Sequence, residues 1–286
     1  MQMVMDNTAK NTQHYDQRYR SVRVDCIVNI VRGFQVFLDD AVQTDTSWHG
    51  FYKHGFAQRL AGKRVLELGC GDGLNALIMA SLGAHVVANE ISAESMRIVT
   101  EAAATLNLSN VETLLGDFGE LSIEERAFDF VVGKAILHHL THDIEEAYVG
   151  KITRILKPTG EARFFEPAVN SRVLDAIRWL VPVPGRPSML SRKAFAAWKA
   201  ADPHPDRDNS SAHYRRLGNK YFDKVDIEPI GSLERLCRWM PRKGWSRAYR
   251  RWAHRVEVRL PQTFRNFAAR SQLIEYRLPR TPSRET

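Results

Sequence analysis

The order of apolar runs in this chain predicts an α/β fold, a doubly wound sheet of seven strands with helices on both faces. Three observations carry the prediction. Between residues 65 and 166, five short apolar runs alternate with stretches of helical period, which implies right-handed crossovers between parallel strands. The first run ends in a loop with glycine at alternate positions, Gly69, Gly71 and Gly73. Two later stretches, residues 224–230 and 272–278, alternate apolar and polar side chains and supply a sixth and a seventh strand.

Taken in order, residues 1–60 read as an N-terminal helical cap. Residues 13–19 are helical in pattern, and apolar residues at 24, 27, 28, 31, 34 and 38 predict one helix beginning near residue 22. A second helix is expected over residues 48–60, with Gly62 and Lys63 turning into the first strand. That strand, Val65 to Leu68, runs into the glycine loop, and the helix that follows directs its free N–H groups at whatever is bound there. The third glycine falls one residue too early for the dinucleotide fingerprint G-x-G-x-x-G, since Leu74 occupies that place. Residues 86–90 form a second strand ending in Glu90, about one βαβ unit after the first. A third strand, residues 111–115, leads to Gly116, Asp117 and Phe118, and a fourth, residues 128–133, leads to Lys134 and then to Leu137-His138-His139-Leu140. The helix over residues 143–156 opens with Asp143 and turns Ile144, Ala147, Tyr148, Ile152 and Ile155 inward. A turn at 156–160 then gives a fifth strand, residues 161–166, ending in Glu166.

This ordered set resembles the class I S-adenosylmethionine (SAM) dependent methyltransferases, strongly over residues 60–170 and weakly elsewhere. The resemblance implies a Rossmann-like sheet whose seventh strand is inserted antiparallel. It also implies SAM as cofactor, with Glu67, Gly69, Gly71 and Gly73 lining its methionine and ribose end, Glu90 holding the ribose hydroxyls, and Asp117 with Phe118 at the adenine. Catechol-type relatives hold Mg²⁺ on acids at the ends of strands four and five; here strand four ends Gly133-Lys134, so no metal is expected. The Leu137–Leu140 turn and the Leu156-Lys157-Pro158 segment are most similar to small-molecule methyltransferases, including those of ubiquinone and menaquinone biosynthesis.

Residues 61–286 then form the SAM-binding domain with two insertions, 168–220 and 232–268. The first carries helices at 172–180 and 191–201, a loop at 182–187 and a polar, exposed stretch at 202–211. The second is basic: residues 235–259 hold nine Lys or Arg against one acid, Glu257, within a chain of net charge +8. Its apolar residues, among them Trp245, Tyr249 and Trp252, follow three- and four-residue steps. The expectation is a helical lid over the substrate entrance whose arginines, Arg247, Arg250 and Arg251, attract an acidic or amphiphilic substrate. A solvated outer face and docking on an anionic membrane stay open as alternatives.

For chemistry, methyl transfer to oxygen or nitrogen needs a proton acceptor. His138, His139 and Glu166 lie at the carboxyl edge of the sheet, where such a group belongs. Tyr15, Tyr19, His49 and Arg247 are candidate substrate contacts. Trp48, Phe51 and Tyr52 are further pocket candidates with a packing alternative, and His49, His54, His213 and Tyr15 are weaker candidates for the proton acceptor. Three widely spaced cysteines, Cys26, Cys70 and Cys237, make no metal or redox motif, and a polar N-terminus without an apolar stretch is not that of a secretory signal. A cytoplasmic enzyme is expected, with peripheral membrane contact open. The absence of an Asn-Pro-Pro-Tyr tetrapeptide disfavours nucleobase amines. The leading reading is methylation of a small organic molecule, natural-product or quinone-like, with oxygen slightly favoured over carbon or nitrogen. An RNA or protein methyltransferase using the basic insertion and a non-catalytic SAM-binding module are the alternatives.

Overall fold

A computed structural model describes residues 12–183, 185–201, 205–239 and 244–280. The first residues of the cap, the start of the 202–211 stretch, and Met240, Arg242 and Lys243 of the basic insertion lie outside these described residues. In chain order, the cap contains helix α1 (residues 12–19), α2 (Val24–Arg32), α3 (Phe34–Thr44), α4 (Thr46–Phe51) and a 3-10 turn (Phe56–Arg59). The sheet region follows as β1 (Arg64–Leu68), α5 (Leu74–Ser81), β2 (His85–Glu90), α6 (Ala93–Leu106), β3 (Val111–Leu115), β4 (Phe128–Lys134), a 3-10 turn (Leu137–His139), α7 (His142–Ile155) and β5 (Leu156–Pro167). The remainder is α8 (Arg172–Leu180), α9 (Arg192–Ala201), α10 (Ser211–Tyr221), β6 (Phe222–Ile230), a 3-10 turn (Glu234–Trp239), α11 (Gly244–Glu257), α12 (Gln262–Ala268) and β7 (Ser271–Pro279).

The seven strands form one sheet in the order β3-β2-β1-β4-β5-β7-β6, parallel except for β7, which runs antiparallel to both β5 and β6. The order reverses between β1 and β4. At such a switch point the crossovers leave to opposite faces and open a crevice beyond the strand ends. Strand alternation divides the core cleanly. Val65 of β1 and Phe130 and Val132 of β4 pack with α2 to α6 on one face, whereas Leu66, Leu68 and Val131 pack with α7 and α10 on the other.

The cap departs from the predicted pattern in two places. The helix expected to run past residue 33 is two helices, because Gly33 closes α2 with its N–H on the Ile30 and Val31 carbonyls and α3 starts afresh. Glycine has little preference for a helix interior, so a chain under packing demand turns there. The helix expected over 48–60 stops at Phe51: His54 and Gly55 both adopt left-handed backbone, φ 57° and 66°, which ends helical hydrogen bonding. Asp45 starts α4 as its N-cap, accepting from the amides of Ser47 (2.8 Å) and Trp48 (3.2 Å). In α7, Ala147 points to solvent and Glu145, Val149 and Thr153 take the inner positions beside Tyr148, Ile152 and Ile155.

The basic insertion is helical, but its longest helix, α11, does not cover the strand ends. Helix α11 lies on α3 and α4 through Ala253, His254 and Glu257, all buried, while Trp245 is 79% and Trp252 50% exposed. Glu257 turns inward to accept from the amides of Gly231 (3.0 Å) and Ser232 (2.7 Å), which fixes the face that docks. No helix among the described residues is long and apolar enough to cross a membrane.

Candidate active site

A cavity of about 440 Å³ opens at the carboxyl ends of β1, β2 and β4, where the strand order reverses. Its floor is the glycine loop. Gly69 and Gly71 both take φ +61°, a conformation that side chains beyond glycine rarely adopt. A Cβ on Gly71 would stand 3.1 Å from the Tyr19 hydroxyl, so the loop and α1 approach each other closely across the cavity. Gly73 does not line the cavity. It caps α5 at φ +76°, and a Cβ there would run into Val99 of α6; its role is helix packing.

Three acids stand at successive strand tips. Glu67 of β1 is buried; its Oε1 accepts from Asn75 Nδ2 (2.6 Å), and its Oε2 has no hydrogen-bond partner among the described residues. Burial pushes its carboxyl up to about 7, against the pull of the Asn75 hydrogen bond. Glu90 of β2 accepts from the amides of Ile91 (2.8 Å) and Gly71 (3.2 Å), and burial raises its pKa. Asp117, after β3, accepts from the Gly119 amide (2.8 Å) and the Tyr148 hydroxyl (2.6 Å), both on Oδ1. Phe118 packs edge-on against Tyr148 with centroids 4.9 Å apart, and both line the cavity.

Tyr15 and Tyr19 reach the cavity from α1, their rings stacked with centroids 6.0 Å apart. The helix is tied down by Asp16, which accepts from Ser92 Oγ at 2.5 Å. Tyr15 Oη lies 3.4 Å from His139 Nδ1, and His139 lines the cavity. His138 does not; its Nδ1 is 2.7 Å from Glu166 Oε2. Glu166 is fully buried and takes the amides of Ile136 (2.9 Å) and Leu137 (2.7 Å), so it holds the turn and His138 rather than facing a substrate. From the other side Arg207 donates to the carbonyls of Leu137 (2.8 Å) and Leu140 (2.7 Å) and to Glu145 (2.6 Å). The two histidines therefore sit on a turn whose amides are gripped by a buried carboxylate and whose carbonyls are gripped by a buried guanidinium. Ala135, just before the turn, carries φ +63°, strain of about 1–3 kcal/mol that this clamp sustains.

Other expected contacts lie elsewhere. His49 donates or accepts at Val42 O (2.9 Å) and stacks on His254 of α11 at 4.1 Å; burial and that neighbour lower its pKa to about 4. It is a joint between cap and insertion. Arg247 pairs with Asp40 of α3, and Arg251 lies 3.8 Å from the same carboxylate, neither near the cavity. Phe51 is core, His54 bridges Glu228 (3.0 Å) and Glu275 (2.9 Å), and His213 pairs with Glu145 (2.7 Å). Trp48 and Tyr52 stack behind the floor, Tyr52 donating to Asn75 Oδ1 (2.9 Å).

Several contributors escaped the sequence reading. Lys134 lines the cavity with its ammonium 3.9 Å from the Trp48 ring centroid, and burial lowers its pKa although Glu67 lies near. Its position at the tip of β4 was a signal, but only a missing acid was read from it. Tyr148 and Asn75 had no local signature, since both reach the site from helix faces. Among the described residues, no three His, Cys, Asp or Glu side chains cluster so as to hold a metal ion.

Comparison with known proteins accords with this geometry. Residues 65–160 match the family model described as a methyltransferase domain. A cypemycin N-terminal methyltransferase of Streptomyces sp is 35% identical over 105 residues, 36% of this chain and 41% of that protein. A ubiquinone biosynthesis O-methyltransferase of Erwinia tasmaniensis is 26% identical over 185 residues, 58% of this chain and 71% of that protein. Among solved structures, geranyl diphosphate C-methyltransferase from Streptomyces coelicolor A3(2) superimposes with a TM-score of 0.52 at 16% identity, covering 78% of this chain and 74% of that one; it shares the fold. The chain spans between 18% and 59% of the length of the first three curated relatives it matches. Residues 65–160 are thus similar to a methyltransferase domain, and the seven-stranded sheet that contains them has the class I methyltransferase fold.

Proposed function

We propose that the protein transfers a methyl group from SAM to a small organic molecule, with an oxygen acceptor slightly favoured. The observation that carries the reading is the first cavity, with three carboxylates on successive strand tips around a glycine loop and a histidine at the same edge. The residues fit the cofactor. Glu67 Oε2, buried without a partner among the described residues, is an acceptor waiting for an ammonium such as that of the methionine moiety. Glu90 keeps lone pairs for a ribose diol, and Asp117 Oδ2 for an adenine amino group, with Phe118 and Tyr148 as its apolar wall. Bound there, SAM supplies an activated methyl group on a sulfonium centre.

The chain's own part is to hold and orient, and to take up a proton. Tyr15 and Tyr19 close the cavity against water, and the clamped turn presents His139 at the cavity edge. We assign proton acceptance to His139, with His138 and Glu166 as positioning residues. The basic insertion gives little support to an RNA or protein substrate, because Arg247 and Arg251 face Asp40 and Arg250 faces Glu234 at 3.0 Å.

Calorimetric titration with SAM tests the reading: the wild type should bind one equivalent, and Glu90→Ala should weaken binding by about 1–3 kcal/mol. A wild type that does not bind SAM overturns it. In turnover assays, His139→Gln should lower the rate by about 10²–10⁴ with SAM affinity held, and an unchanged rate would remove His139 from the mechanism.

A further inference from the structure

A second cavity, of about 320 Å³, lies at the same edge of the sheet, where both insertions meet. Pro167 at the end of β5 and Ser271 at the start of β7 pair across its base, and the Ala168 amide donates to Arg270 O at 2.9 Å. Strand β5 is also the neighbour of β4, Phe165 pairing with Lys134, so this cavity sits beside the first one. Its walls are apolar, formed by Leu174 and Ile177 of α8, Val181, Val183 and Phe267 of α12. A volume and lining of this kind suit a small ligand.

The charges around it are unbalanced. Arg178, Arg186, Arg235 and Arg270 line the cavity against a single lining acid, Asp175. Two of the arginines are matched: Arg178 lies 3.6 Å from Asp175, and Arg270 donates to Glu234 at 2.6 Å. The other two face no carboxylate within ion-pair distance among the described residues. Arg186 is only 8% exposed. Its Nη2 donates to the carbonyls of Arg178 and Val181, but its Nε and Nη1 are buried without a hydrogen-bond partner among the described residues. A buried guanidinium with two idle donors is costly unless something accepts from them. The planar fork of Arg suits an oxyanion, which can accept from both.

We propose that this cavity binds a small amphiphilic oxyanion, an apolar body ending in one carboxylate or phosphate, with the head on Arg186 and Arg235 and the body along Leu174, Ile177 and Phe267. The sequence placed the acid-binding arginines in α11; the unmatched ones stand here instead.

The test uses the full chain and three probes of one chain length, decanoate, decyl phosphate and decanol, titrated by calorimetry, with SAM titrated separately. Decanoate or decyl phosphate should bind at least about tenfold tighter than decanol, and whichever binds tighter identifies the head group. The double variant Arg186→Gln, Arg235→Gln should lose about tenfold or more for the acid and keep its SAM affinity. Should that variant fold poorly, Ile177→Asp serves as a second. Ile177 is 44% exposed, so the change is tolerated by the fold while placing a negative charge on the wall, and acid binding should fall at least about tenfold more than decanol binding does. Decanol binding as tightly as the acids, no binding by any probe, or acid binding unchanged in the folded variants would overturn the proposal. The SAM titration is read independently, so loss of the methyl-transfer reading and loss of this site give different results.

Discussion

Two buried arginines show how differently this molecule treats charge in two of its regions. Arg163, in the middle of β5, is fully buried, and its donors are spent: Nε on Phe51 O (2.7 Å), Nη2 on Lys53 O (2.7 Å), and Nη1 on Glu161 (3.2 Å) and Glu275. It also covers the Phe56 ring at 4.6 Å and so ties the end of the cap to the sheet. Arg186, in the first insertion, is nearly as buried and leaves two nitrogens idle. A protein that closes every donor in one place and not in another is using the first for architecture. The second is a site whose acceptor comes from outside. Glu67 is the acidic counterpart of Arg186, with one oxygen closed by Asn75 and the other open beside the first cavity.

The sharpest way to break this comparison is to remove both guanidinium groups. Arg163→Met leaves Glu161 to Arg59 alone and Glu275 to His54 alone, strips the buried Phe51 and Lys53 carbonyls of their donors, and should cost about 3–5 kcal/mol in chemical denaturation. Arg186→Met removes an unmatched charge together with two hydrogen bonds to main-chain carbonyls and a contact on the Trp179 ring, and should cost less, about 1–3 kcal/mol. Equal losses in the two variants would mean that Arg186 is structural as well.

The glycine loop sharpens the same contrast between architecture and site on a smaller scale. Gly73→Ala forces an L side chain to φ +76° against Val99 and should lower stability by about 1–3 kcal/mol, read as a shift of the denaturant midpoint. Because Gly73 does not line the cavity, the fraction that folds should bind SAM as the wild type does. A variant with wild-type stability and lost SAM affinity would return Gly73 to the binding surface.

Glu67 offers a test by pH. Its carboxyl is raised to about 7 in the fold, so between about pH 4.5 and 7 the folded chain holds a proton that the unfolded chain has released. The stability tied to that proton is full below the unfolded value and is lost as pH rises through 7. A bound ammonium needs the ionised form. Apparent SAM affinity should therefore strengthen about tenfold from pH 6 to pH 8, as the ionised fraction grows. Glu67→Gln should flatten that profile, and a steep profile surviving in Glu67→Gln would assign the dependence to another group.

How much of this was legible in the sequence follows from where each signal resides. The strands β1 and β4 were readable because they are short and mostly apolar on both faces. The acids Glu67, Glu90 and Asp117 were readable because a strand tip fixes where its last side chain can be. Gly33 and Gly55 were visible, but whether a glycine breaks a helix depends on packing that the local pattern does not contain. Glu166 stood at the right edge, yet its burial under the 136–139 turn depends on β4 lying alongside β5. The deeper misreading was α11. Periodicity found a stripe of Trp245, Tyr249 and Trp252, but a stripe does not say which face docks, and Glu257 drew the opposite face inward. Arg207 gave no signal at all, since its partners Leu137, Leu140 and Glu145 lie far away in the chain.

That misreading leads to the smallest expected effect, at Arg247. The sequence made it a substrate contact on a lid; the fold pairs it with Asp40, 207 positions earlier, on the outer surface of α3, with its own side chain 59% exposed. An exposed ion pair of this kind contributes about 0–1 kcal/mol, because water already solvates both charges and holding two flexible side chains together costs entropy. Arg251 lies 3.8 Å from the same carboxylate and would take over part of the pairing. Arg247→Ala should therefore shift the denaturation midpoint within that range, and high salt should shrink even this difference. SAM affinity and methyl-transfer rate should match the wild type, since no residue of α11 lines either cavity. A raised Michaelis constant in Arg247→Ala at unchanged stability would put α11 back over the substrate path.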